Sequence, residues 1–196
     1  MSDFDYDLEL GYQTGTRDGF AFEPPGRFQI KANAVAALAG YTFRDLPWKP
    51  RLALEYERAT GDDDPNDNED NSFLVMYEYA FGYTSMMTHW KNIDKWTLIL
   101  TARPIEKMIV GLELSTMNLE SANDAWYSLV EAPVFPVPGA SKDLGTEVNF
   151  HLQYSFSKKT WMRLGYANFK PGQFSADTVG TRDHMDSVQI VFDVGF

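Results

Sequence analysis

Apolar and polar residues alternate along most of this chain. In VNFHLQYSF (148–156), Val148, Phe150, Leu152, Tyr154 and Phe156 interleave with Asn149, His151, Gln153 and Ser155. A period of two puts the two sets on opposite faces of a β-strand. Seven other segments read the same way: 4–14, 28–43, 51–59, 95–103, 108–117, 161–169 and 187–196. Residues 28–43 are rich in alanine, so helix stays an alternative there, although Tyr41 and Phe43 share one side as in a strand.

The connections between these segments carry a second pattern. Residues 44–50, 104–107 and 157–160 are short links, whereas 15–27, 60–94, 118–147 and 170–186 are long, and the two kinds alternate strictly. Consecutive antiparallel strands then place tight turns at one end of the sheet and large loops at the other. That asymmetry predicts an all-β, antiparallel, up-and-down transmembrane β-barrel with about eight strands in this chain, one domain over residues 1–196. Phe43, Trp48, Trp96, Phe156, Trp161 and Phe196 are expected to form an aromatic girdle at the short-turn end. The faces alone leave one choice open. In a soluble barrel Arg51, Glu55, Glu57, Arg103, Glu113 and Arg163 would meet bulk water, and in a membrane barrel they would line the lumen.

Composition narrows the classes. The 196 residues include no cysteine, which removes disulfides and thiolate metal sites. The formal charge of −11 argues against nucleic acid or an anionic membrane surface as a partner. Much of that charge sits in GDDDPNDNED (61–70). Asp62, Asp63, Asp64, Asp67 and Asp70 offer hard oxygen ligands for calcium, but the stretch lacks the glycine and distal glutamate of an EF-hand loop, so a solvated acidic loop is expected. No apolar run reaches the ~18 residues a membrane helix needs. The opening MSDFDYDLEL shows no export signal, and eight strands enclose only enough space for side chains. The expectation from the opening is that a signal was removed or that the chain begins inside a longer gene product. Catalysis has little support: His151 and Ser155 stand roughly 13 Å apart along a strand, and no phosphate loop or nucleophile elbow occurs. Neither enzymatic activity nor a cofactor is expected.

The last strand, VQIVFDVGF, resembles the C-terminal signature by which bacterial outer-membrane proteins are recognised for insertion. PWKPRLALEYERATGDDDPND (47–67), HWKNIDKWTLIL (89–100) and SKDLGTEVNFHLQYSFSKKTWMRLGYANFKPGQF (141–174) resemble, in order and spacing, the alginate export family of outer-membrane porins. The resemblance implies an outer-membrane location, contact with its lipids, and the barrel-insertion machinery as a partner through the strand ending at Phe196. It implies passage of an anionic polysaccharide or small anionic solutes. Since such porins have on the order of 16–18 strands, it also implies that this chain is the C-terminal half of a larger barrel or a reduced relative with a blocked lumen. Arg51, Lys95, Arg103 and Arg163 would then meet carboxylates, opposed by Glu55, Glu57 and Glu113, with His151 on the same wall. SFLVMYEYAFGYTSMM (72–87) departs from an ordinary external loop in being apolar and aromatic, and is expected to pack inward as a plug or over a neighbouring strand. Two rival readings remain: a small closed outer-membrane barrel with a structural or adhesive role, and a soluble eight-stranded barrel binding an apolar ligand.

Overall fold

The computed structural model describes residues 3–19, 26–74, 89–127 and 133–195. In chain order the elements are β1 (Phe4–Asp18), β2 (Arg27–Thr42), β3 (Arg51–Ala59), β4 (Glu69–Asp70), β5 (Ile93–Ile105), β6 (Met108–Asn118), β7 (Asp143–Ser155), β8 (Thr160–Pro171), α1 (Gln173–Thr178) and β9 (Met185–Val194). The eight long strands form one antiparallel sheet in the order β1-β2-β3-β5-β6-β7-β8-β9. The two-residue β4 runs parallel to β2, at Gln29 and Ile30. Residues 28–43 are strand rather than helix: Ala32 to Ala39 pair on one side with β1, and from Ala34 onward also with β3. Ladder pairing on both edges outweighs the helix propensity of alanine.

Register makes the faces continuous. One outward row crosses the whole sheet: Phe4, Tyr41, Leu52, Leu100, Leu112, Phe150, Tyr166 and Val188. An inward row beside it reads Asp5, Gly40, Ala53, Ile99, Glu113, Asn149, Ala167 and Ser187. Burial inverts the soluble pattern. On β7, Glu147, Asn149 and His151 are 3–5% exposed, whereas Val148 and Phe150 between them are 38% and 47% exposed. On the central strands the polar face is sheltered and the oily face is bare, which a soluble barrel with an apolar interior would not show.

Most strands run past the segments that hydropathy marks. β1 continues to Asp18, β7 begins at Asp143 and β8 reaches Pro171, all at the long-loop end. There the outward positions become polar, as at Thr14, Thr16, Thr146 and Lys170. Oily alternation stops although the ladder goes on. The long connections shrink accordingly to 19–26, 60–92, 119–142 and 172–184.

The expected girdle needs two corrections. Trp96 lies near the start of β5, which follows a long loop, so it belongs to the long-loop end, opposite Tyr56 with ring centroids 4.5 Å apart. Trp161 is opposite Ser155 and Asp193 and shares the inward face with Arg163. Aromatics do gather outward at the short-turn end: Tyr41 meets Phe43 edge-on, and Phe156 lies between Tyr154 and Phe192. Phe196 lies outside the described residues.

At the long-loop end an apolar cluster closes over the inward face. Phe73, Met117, Leu119, Phe169 and Phe174 pack above Ala32 and Ala34. Phe73 thus packs inward as expected of its segment, while its neighbour Leu74 is exposed. The remainder of that segment, 75–87, lies outside the described residues.

Candidate functional site: the inward wall

The inward wall is built from ladder positions two residues apart. In one row Glu55, Thr97, Ser115 and Glu147 stand side by side, and in the next Glu57 faces Lys95. Thr97 and Ser115 share a hydrogen bond of 3.0 Å between their hydroxyls. Lys95 Nζ donates to Glu57 Oε2 at 2.7 Å, with both side chains largely sheltered. A cation drawn from water is satisfied there by an anion already on the wall.

Two glycines let long side chains lie flat. Arg51 on β3 reaches across β2 to Asp5 on β1, donating from Nε at 3.0 Å and from Nη2 at 2.5 Å. The intervening position is Gly40, where a Cβ would sit 2.4 Å from Nη2. On β7, His151 folds over Gly111, where a Cβ would come within 2.1 Å of Cε1. Its Nδ1 lies 3.9 Å from Glu113 Oε1. Arg163 donates from Nε and Nη2 to Gln153 Oε1, at 3.2 and 2.8 Å, with its guanidinium 5.2 Å from the Trp161 ring centre.

The structure therefore brings Arg51, Glu55, Glu57, Lys95, Glu113, His151 and Arg163 onto one wall. Arg103 stands apart. It falls in the irregular stretch between Ala102 and Ile105 near the short turns, its side chain is exposed, and its backbone N–H donates to the Trp48 carbonyl. Sequence reasoning missed Asp5, Glu147 and Gln153 as wall residues. The alternation already put them on the polar face, and a signal for the flat side chains existed in glycines at polar-face positions beside Arg51 and His151.

Above the wall, the loops 60–92 and 119–142 are tied by a polar knot. Asn92, 1% exposed, donates from Nδ2 to the carbonyls of Ser121 and Ala125, and its Oδ1 accepts from the Ser121 N–H at 2.7 Å. Asn92 has φ +48°, a left-handed conformation that asparagine tolerates. Asp124 accepts from Ser72 Oγ at 2.5 Å, Tyr127 Oη at 2.7 Å and the Asp62 N–H at 3.0 Å.

The acidic loop is dispersed by these contacts. Asp70 pairs with Arg17 at 2.5 Å and receives the Ser72 N–H, Asp64 and Asp67 receive backbone N–H groups two residues on, and the Asp63 carbonyl takes Asn123. Among the described residues no three histidine, aspartate or glutamate side chains converge as a metal site would require. Asp62 has a buried Oδ1 with no hydrogen-bond partner. Burial, then the charges of Asp70, Asp124 and Asp67, push its carboxyl up to about 6, partly offset by a backbone hydrogen bond from Asp64. A carboxyl raised on folding contributes stability that is complete below its unfolded pKa and is lost as pH rises through the folded one. The knot is thus expected to weaken between about pH 4 and pH 6. Asp62→Asn should remove that slope, raising thermal stability at pH 7.5 and leaving it nearly unchanged at pH 3.5. Thermal unfolding of the detergent-folded protein at the two pH values reads this directly, and equal melting temperatures at pH 7.5 would refute it.

A sheet with a bare oily face, a sheltered charged face and short turns at one end is the wall of a transmembrane β-barrel. The sequence profile of the alginate export family matches residues 1–189, and the chain belongs to that family. It is a family of outer-membrane transport proteins concerned with polysaccharide export. No curated protein matches the chain.

Proposed function

We propose that this chain forms the wall of an outer-membrane channel through which a polysaccharide passes by diffusion, without cofactor or covalent chemistry. The observation that carries this reading is the inversion of faces, with charge sheltered inside and Leu, Phe and Tyr bare outside. Among the described residues β1 and β9 have no ladder partner on their outer edges. Unpaired backbone cannot face hydrocarbon, so in the membrane both edges are paired. Pairing with further strands leaves an open pore, whereas pairing with each other gives an eight-stranded barrel filled by side chains. Support for an anionic cargo, or small anionic solutes, comes from the family.

Single-channel conductance of the whole protein in a planar bilayer, with polymannuronate added on the inner-face side, tests the proposal. Steady current that the polymer blocks is the expected result. Folded, inserted protein that passes no current would replace it with the small closed barrel of structural or adhesive role.

A further inference from the structure

Resting on the channel reading, we propose that Trp161, with Arg163, Gln153 and Asp193, forms a site that takes a single sugar ring of the polysaccharide as the chain enters from the short-turn end. An aromatic ring on the outward face of the barrel gains from lipid, but one that faces a watery lumen does not. Among the described strands three aromatic residues point inward: Phe28, Trp161 and Phe169. Phe28 and Phe169 are buried at the long-loop end, at 8% and 3% exposure. Trp161 stands instead in the last inward row before the short turns, between Ser155 and Asp193, and is only half-buried. Short turns mark the periplasmic end of such barrels, so an exported chain meets this row first.

The neighbours of the indole are the second observation. Arg163 lies over the ring with Cζ 5.2 Å from its centre, and donates from Nε and Nη2 to Gln153 Oε1 at 3.2 and 2.8 Å. The three side chains are thereby fixed as one unit. With its oxygen engaged, the Gln153 amide turns its Nε2 hydrogens away from the arginine. Ile109 and Val191 continue the row of Gln153 and Arg163 to either side, and the exposed Asp193 stands opposite the indole.

A pyranose ring has the two kinds of surface that this patch can meet. Its C–H groups carry partial positive charge and pack on the negative face of an indole. Its hydroxyls accept from amide N–H groups and donate to a carboxylate. A small inorganic anion would use neither the indole nor Asp193. The turns before β6 and after β7 add the exposed Lys107, Lys158 and Lys159, against Glu106 and Asp193. That balance draws the end of a uronate chain toward the ring. The contacts are few and partly open to water, so each sugar is held briefly and let go, as passage requires.

The test compares wild type, Trp161→Ala and Trp161→Phe in planar bilayers, with polymannuronate added to one side at a time. Heat-modifiable gel mobility confirms that each variant is folded. From the short-turn side, blocking events should become about fivefold rarer in Trp161→Ala and less than about twofold rarer in Trp161→Phe. Their frequency from the long-loop side should not change. The loss should persist at molar salt, because ring stacking is not screened as ion pairing is. Unchanged block in Trp161→Ala would overturn the site and leave the channel reading intact. A loss that vanishes at molar salt, or one equal from both sides, would also overturn it: Trp161 would then only position Arg163, or would not act at entry. If the wild type passes no current, the channel reading falls. Binding of a labelled mannuronate oligomer to the detergent-folded proteins then decides the site, which equal affinity in wild type and Trp161→Ala would overturn and a weaker affinity in the variant would sustain.

Discussion

Phe150→Arg is expected to lower the folding free energy of the membrane-inserted protein by about 2–4 kcal/mol, the cost of arginine on a barrel's lipid face near the bilayer centre. Phe150 is 47% exposed on the outward face and stands between Leu112 and Tyr166 in the row that crosses all eight long strands. Some nine residues of each strand carry this oily band, roughly 30 Å along the strand, which tilt reduces to about the thickness of an outer-membrane apolar belt. The partner experiment is Thr101→Lys, two strands away on the inward face between Arg51 and Gly111. A lysine there projects into the polar side, so its effect should stay within about 1 kcal/mol. Urea unfolding of both variants in lipid vesicles separates the faces. Equal losses would mean that the face assigned to lipid is not in lipid.

The second large effect concerns the polar knot. Asn92→Ala removes a side chain that makes three hydrogen bonds at a site 1% exposed to solvent. It leaves the Ser121 N–H and the carbonyls of Ser121 and Ala125 without that partner, and orphaned buried groups cost about 1–3 kcal/mol each, less where water can enter. It also forfeits asparagine's tolerance of φ +48°. A total loss of about 3 kcal/mol is expected, confined to the loops because the ladders below do not depend on it. Limited proteolysis of the folded protein should therefore cut within 60–92 or 119–142 at much lower protease concentration than in wild type, while the heat-modifiable barrel band persists. Gly61→Ala should behave alike, since a Cβ there would lie 2.1 Å from Asn92 Oδ1. Unchanged cleavage in both would show that the knot does not hold these loops.

Much of this architecture is legible in the chain because a two-residue period and the lengths of connections are local quantities. All eight long strands, their antiparallel order and the end that bears the short turns follow from them, as do the polar positions of Glu55, Glu57, Lys95, Glu113, His151 and Arg163. Strand ends were less legible, because hydropathy marks the lipid boundary and the ladder continues beyond it at Thr14, Thr16 and Thr146. Trp96 and Trp161 show the same limit. An aromatic residue announces burial or an interface, but its height and face depend on which loop precedes its strand and on its register.

The sequence by itself thus determined a family, a two-faced antiparallel sheet and the identity of the charged residues on one face. Alternation is symmetric between inside and outside, so the choice of lumenal face rested on the connection lengths and the last strand, and the burial of the paired strands then made it explicit residue by residue. Tertiary structure alone decided what the charges do. Whether Arg51 extends into the lumen or lies against β2 turns on a glycine on the neighbouring strand and an aspartate 46 residues away in the chain, a relation set by register.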